Sequence, residues 1–219
     1  MAMSAIEPIA TPAGRSLRVA GLTPARSLVA SGVLSVPVGL LTFAYPPAIA
    51  DTLWGHPFPQ GLHVGVAVVL LVAHALTAHG FVGLARLPGG RVVTVSMLAA
   101  ALGFLVVAAC EGISATMWGT STEATAAVNL ENGYGVGSML LAVASVVGGI
   151  VIIRRNLLPG VGRWSVLLSG LFMIFVVTPA LFAGRGDAAY LALTGWSLFF
   201  IWIGIALGRR ETESGGGAG

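Results

Sequence analysis

Residues 62–113 read LHVGVAVVLLVAHALTAHGFVGL (62–84), ARLPGGR (85–91) and VVTVSMLAAALGFLVVAACEGI (92–113). Two apolar runs of bilayer length are separated by seven residues that hold both arginines of the stretch together with Pro88, Gly89 and Gly90. About 20 apolar residues are needed to cross roughly 30 Å of hydrocarbon as an α-helix. In hydrocarbon every backbone polar group must be satisfied within the segment, so each run reads as one spanning helix. The Leu-Pro-Gly-Gly turn between them sends the chain back across the bilayer from the arginine-bearing side.

The same pattern of apolar runs extends in both directions. Six apolar runs are predicted as spans, over residues 25–45, 62–84, 92–113, 134–153, 164–183 and 188–207. The fold class is therefore all-α, a polytopic six-helix membrane bundle. Composition agrees: the chain has 219 residues, 56% of them hydrophobic and only 9% charged. A soluble domain carries roughly 25% charged residues. Mean hydropathy is +0.93. Residues 1–24 and 209–219, rich in proline, glycine and polar groups, are expected to be flexible cytoplasmic tails.

Charge placement sets the expected orientation. All 11 basic residues are arginine. Arg15, Arg18, Arg26, Arg86, Arg91, Arg154, Arg155, Arg163, Arg209 and Arg210 fall on one side of the six spans, and Arg185 alone on the other. Arginine is retained on the cytoplasmic side of short loops, which places both termini in the cytoplasm. Asp51, Glu123, Glu131 and Asp187 fall on the opposite side, where Trp54 and Trp118 suit an interfacial aromatic belt. This pattern accounts for the net charge of +3 without a nucleic-acid partner. The absence of lysine, with abundant Ala, Gly and Val, suggests a bacterial inner membrane. Ala48-Ile49-Ala50 resembles a signal-peptide cleavage site, but the preceding apolar run is longer than a signal core.

Repetition runs through the chain. Leu87-Pro88-Gly89-Gly90-Arg91 is echoed by Leu158-Pro159-Gly160-Val161-Gly162-Arg163, and Thr52-Leu53-Trp54-Gly55 by Thr116-Met117-Trp118-Gly119. The pattern predicts three repeated helical hairpins, each rising from the arginine-bearing side and returning to it. Gly133 with Gly137, and Gly204 with Gly208, are small pairs four residues apart that let helix backbones approach. Pro37 and Pro179 each remove a backbone donor within a span and are expected to kink it.

Ionisable groups inside a membrane are rare and costly, so they are the functional candidates. His74 lies 11 residues after His63, about 16 Å along a helix, which puts it near the midplane and on the same face as His63. Glu111 is the only acid within an apolar run. Counted from Arg91, it is expected near the outer boundary, in reach of His63. These three residues are predicted to line a polar outer cavity or pathway.

Other chemistries find little support. His56, His63, His74 and His79 all fall in or before one span, which does not suit a haem held between facing helices. Cys110 is a single cysteine, so no disulfide forms within the chain. Gly133-Tyr134-Gly135 has the triplet of potassium-channel filters but lacks the threonine and valine that precede it there. No zinc, nucleophile-elbow or phosphate-loop motif occurs. No cofactor is expected and enzymatic activity is disfavoured. A small transporter-like or channel-like protein is the leading expectation. A non-catalytic subunit or lipid-interacting scaffold, with glycine faces available to a second copy or another membrane protein, comes next. A lipid enzyme using Asn129, Glu131 and Asp187 is third.

Overall fold

The computed structural model describes residues 21–44, 58–183 and 187–215, and every regular element longer than an isolated bridge among them is helical. Six helices are long and apolar enough to cross a membrane. They are α1 (Pro24–Ala44), α2 (Gln60–Leu84), α3 (Gly90–Ser114), α4 (Thr125–Arg154), α5 (Gly160–Phe182) and α6 (Asp187–Gly215). This is the architecture of a multi-pass membrane protein. Residues 1–20, Ala48-Ile49-Ala50, Asp51, the Thr52–Gly55 repeat, His56 and Arg185 lie outside the described residues.

The helices close into a ring in chain order, each packed on its sequence neighbours, with α6 completing the circle against α1. Hydrophobicity does not tell a lipid face from a core face here, because both are apolar. Size and hydrogen bonding separate them instead. Val68, Val72, Val95, Leu102, Leu105, Val136 and Val143 are exposed, as lipid-facing side chains should be. Ser27, Ser31, Thr77, Ser145 and Ser165 are buried between helices, where hydroxyls find partners. Ser31 and Thr77 join α1 to α2 through a 2.5 Å hydroxyl pair, and Ser27 Oγ lies 2.8 Å from His79 Nδ1 one turn nearer the start of α1.

Glycines set the closest helix approaches. A Cβ added at Gly103 would lie 2.7 Å from the Gly137 carbonyl oxygen, and one at Gly204 would lie 2.7 Å from that of Ala25. The predicted glycine pairs are therefore seated within the chain, Gly133 and Gly137 against α3 and Gly204 and Gly208 against α1.

The arginine-bearing ends of the helices meet at one end of the bundle. Gly83, at the end of α2, packs on Pro24 at the start of α1 and near Leu207 of α6, while Gly162 packs on Ala206. Arg210 donates to the Leu157 carbonyl, tying α6 to the α4–α5 loop. The two short loops at this end share a device. Gly90 (φ +70°) and Gly160 (φ +54°) each occupy the left-handed region right after or within the Leu-Pro-Gly motif, a conformation other residues rarely adopt.

Two helices outrun their apolar stretches. α4 begins at Thr125, nine residues before the predicted span at 134, and at roughly 1.5 Å per residue its 30 residues reach about 45 Å. Asn129, Glu131 and Asn132 face solvent there, while Ala127 and Leu130 pack with Met117 and Cys110. Tertiary contact on one side thus sustains a helix whose other side is polar. Likewise α6 continues past position 207 to Gly215.

Pro37 lies within an uninterrupted α1. Pro179 has a larger effect: the turn preceding it, Met173–Val177, widens to a π-helix. Proline cannot donate to the carbonyl four residues back, and its ring crowds that carbonyl. The wide turn relieves the crowding, and the Met173 carbonyl accepts from both the Thr178 N–H and, at 2.8 Å, the Thr178 hydroxyl.

Candidate functional site

The midspan polar groups gather where α2, α3 and α4 meet. His74 Nδ1 of α2 stands 3.9 Å from Glu111 Oε1 of α3, with side chains 13% and 10% exposed. Tyr134 of α4 turns its hydroxyl toward Glu111 and Ser114. His63 bonds to the backbone of α3: its Nε2–H donates to the Ser114 carbonyl oxygen at 2.9 Å. The Ser114 hydroxyl in turn donates to the Glu111 carbonyl at 2.9 Å.

Sequence counting expected Glu111 to meet His63. The structure pairs it with His74, and side-chain direction supplies the reason. In a helix each Cα–Cβ bond tilts toward the N-terminus. α3 starts at the arginine end, so Glu111 leans back from the far end toward the middle of the bundle. α2 runs the opposite way, so His74 leans up toward Glu111. Both tilts shorten the gap that a count of Cα positions leaves. His63 and His74 both face α3, as their spacing predicts, while His79 faces α1.

Beneath the pair the bundle is filled by aromatic rings. Phe104 of α3 stacks on His74 with ring centroids 6.3 Å apart, and on Trp196 of α6 at 5.7 Å. Phe81 and Phe200 approach Phe104 at 5.1 and 5.4 Å. All four aromatic residues are buried. Trp196 also donates its indole N–H to the Ser169 carbonyl of α5 at 3.1 Å, which holds the wall in place. The polar pair is thus bounded on one side by an apolar plug that divides it from the arginine end.

A buried imidazole–carboxyl pair of this kind can exist as imidazolium with carboxylate or as imidazole with carboxylic acid, two forms that differ by the position of one proton. A lone acid near the centre of a membrane helix costs roughly 2.5–3.5 kcal/mol on insertion scales. A partner imidazole lowers that cost, and a proton moving between the two groups changes the local charge distribution without adding net charge. At 3.9 Å the nitrogen and oxygen are outside direct hydrogen-bond range, so proton transfer needs a small rotamer adjustment or a bridging water.

Sequence reasoning missed Tyr134, Ser114 and Phe104. Tyr134 was visible only inside a glycine-rich triplet, and one phenol or hydroxyl among many carries no distinguishing signal. Of the residues considered for a lipid enzyme, Asn129 and Glu131 are exposed on the first turns of α4, away from the buried pair. The described residues contain no group of three or more His, Cys, Asp or Glu suited to a metal ion. Comparison with protein-family models, with curated proteins and with solved structures gives no match for this chain.

Proposed function

We propose that this chain is a small transporter-like membrane protein whose working site is the His74–Glu111 pair, and that the species handled there is a proton. The observation that carries the reading is the pair itself: an imidazole and the only acid of the apolar runs, 3.9 Å apart, facing each other between spanning helices. A purely structural bundle has no need of an acid in that position, since hydroxyl pairs such as Ser31 with Thr77 already join its helices. His63, at the end of α2 opposite the arginines, is the entry-side polar group in this reading, and the Tyr134 hydroxyl faces the carboxyl from α4. The Phe104 plug is the closed barrier, and hydrophobic constrictions of this type gate by excluding water.

The same reading places the chain in a bacterial inner membrane with the arginine end and both termini in the cytoplasm, following the arginine bias. The pair then opens toward the outer face. A scaffold acting through free glycine faces gains less support, because Gly133, Gly137 and Gly204 are already covered by α3 and α1.

The test is thiol accessibility in intact membranes. Cys110 is replaced, single cysteines are placed at positions 63, 74 and 79, and a membrane-impermeant thiol reagent is added from the outer face. Labelling at 63 and at 74, with protection at 79, is the expected order for an outward-facing polar site above a closed plug. Protection at 74 refutes the site, whether or not 63 is labelled, and labelling of all three from the arginine end reverses the orientation.

A further inference from the structure

The two Leu-Pro-Gly loops are not used by the His74–Glu111 site, yet they are the most closely repeated segments of the chain. Each carries arginine on both sides of the motif: Arg86 and Arg91 in the first, and Arg154, Arg155 and Arg163 in the second. Residues 85–91 and 154–164 contain no acid. The fold brings these loops together, one leading into α3 and the other leaving α4, which packs against it. A Cβ built at Gly89 would lie 2.8 Å from Leu157 Cδ1, and one built at Gly90 would lie 3.5 Å from Arg155 Nη1. The Arg155 guanidinium therefore sits over the residue next to Arg91.

Membrane orientation requires arginines to be on this side, but it does not require them to converge. Like charges held side by side repel, and the loop's own hydrogen bonds relieve only some of them. Arg163 donates to Asn156 Oδ1 at 2.6 Å, and Arg210 from α6 holds the Leu157 carbonyl. Among the described residues Arg91, Arg154 and Arg155 form no salt bridge, and Arg91 and Arg155 are exposed. Val161 and Trp164 of the second loop are also exposed, at 74% and 42%, and an interfacial tryptophan suits the glycerol region of a lipid. Planar guanidinium groups bind phosphate oxygens in pairs, and basic pockets between spanning helices hold anionic headgroups.

We propose that the paired Leu-Pro-Gly loops form a binding site for the phosphate headgroup of an anionic phospholipid, with Arg91 and Arg155 as the phosphate ligands and Trp164 against the glycerol backbone. The site is independent of the proton reading, since it lies at the opposite end of the bundle from His63.

Native mass spectrometry of the full chain, released from micelles containing phosphatidylglycerol and phosphatidylcholine in equal amounts, tests it. One phosphatidylglycerol is expected to be retained in preference to phosphatidylcholine. Each arginine near an anionic headgroup contributes roughly a fivefold preference, so Arg91→Gln with Arg155→Gln reduces retention roughly thirtyfold. Arg209→Gln, on α6, leaves it unchanged. The single variants Arg91→Gln and Arg155→Gln, each expected to lose roughly fivefold, decide the matter if the double variant does not fold. Equal retention of the two lipids by the parent, or undiminished retention by the single and double variants, overturns the proposal. Displacement of the lipid by inorganic phosphate at low concentration assigns the site to a free anion and overturns it as well.

Discussion

Replacing Gly103 by alanine drives a methyl group into the backbone of α4. The new Cβ would stand 2.7 Å from the Gly137 carbonyl oxygen, 2.8 Å from the Leu141 nitrogen and 2.9 Å from Leu141 Cβ, where ordinary contact begins at 3.4 Å. None of these atoms is the tip of a flexible side chain. α3 and α4 must therefore part, and overpacking of this kind costs roughly 1–3 kcal/mol. Alanine recovers up to about 1 kcal/mol through its better helix propensity. Gly65→Ala on α2 isolates that second contribution, because nothing lies within 4 Å of its added Cβ. The two variants should differ by roughly 2 kcal/mol, with Gly103→Ala the less stable. On the scale of soluble chains of this size, that is a gap of roughly 4–8 °C in Tm. Thermal unfolding of both variants in the same detergent, followed by loss of the monodisperse species, measures it. If Gly103→Ala melts with or above Gly65→Ala, the backbone contact between α3 and α4 is not as close as described.

Three further outcomes follow from the same geometry. Glu111→Gln keeps the size of the side chain and removes its titratable proton, so the fold is retained. In vesicles with an imposed pH gradient and a trapped pH-sensitive dye, the parent is expected to dissipate the gradient and the variant to match protein-free vesicles, and equal rates for parent and variant refute the assignment. Ser31→Ala breaks the hydroxyl pair with Thr77 and should lower stability by about 0.6 kcal/mol, the average for hydrogen bonds between membrane helices, as read from a denaturation midpoint. Phe104→Ala removes the ring that Phe81, Trp196, Phe200 and His74 surround, at a cost of roughly 3–5 kcal/mol. It should also admit the thiol reagent to a cysteine at position 79, and continued protection there shows that the plug lies elsewhere.

The candidate site was only half legible in the chain. His74 and Glu111 stood out because an ionisable residue within an apolar run is rare, and His63 followed from a spacing of nearly whole helical turns. Their pairing was misread, since a count of Cα rise ignores the tilt of side chains toward each helix N-terminus. Tyr134 and Ser114 were hidden among residues of the same type, because a hydroxyl in a membrane helix is ordinary until a neighbour gives it a task.

What the sequence determined by itself is the number of spans and the end at which the arginines collect. Both follow from the transfer of single residues between water and hydrocarbon, a local property that can be summed along the chain. What only the tertiary structure decided is which face of each helix looks inward. Core and lipid are equally apolar, so hydropathy cannot distinguish Phe104, at the centre of the aromatic plug, from its neighbour Leu105, exposed at the surface. Close glycine contacts and matched hydroxyls make that choice, and they exist only once the helices have met. The overrun of α4 to Thr125 has the same origin: Ala127 and Leu130 hold a polar helix in place by packing against residues of α3 and its following turn.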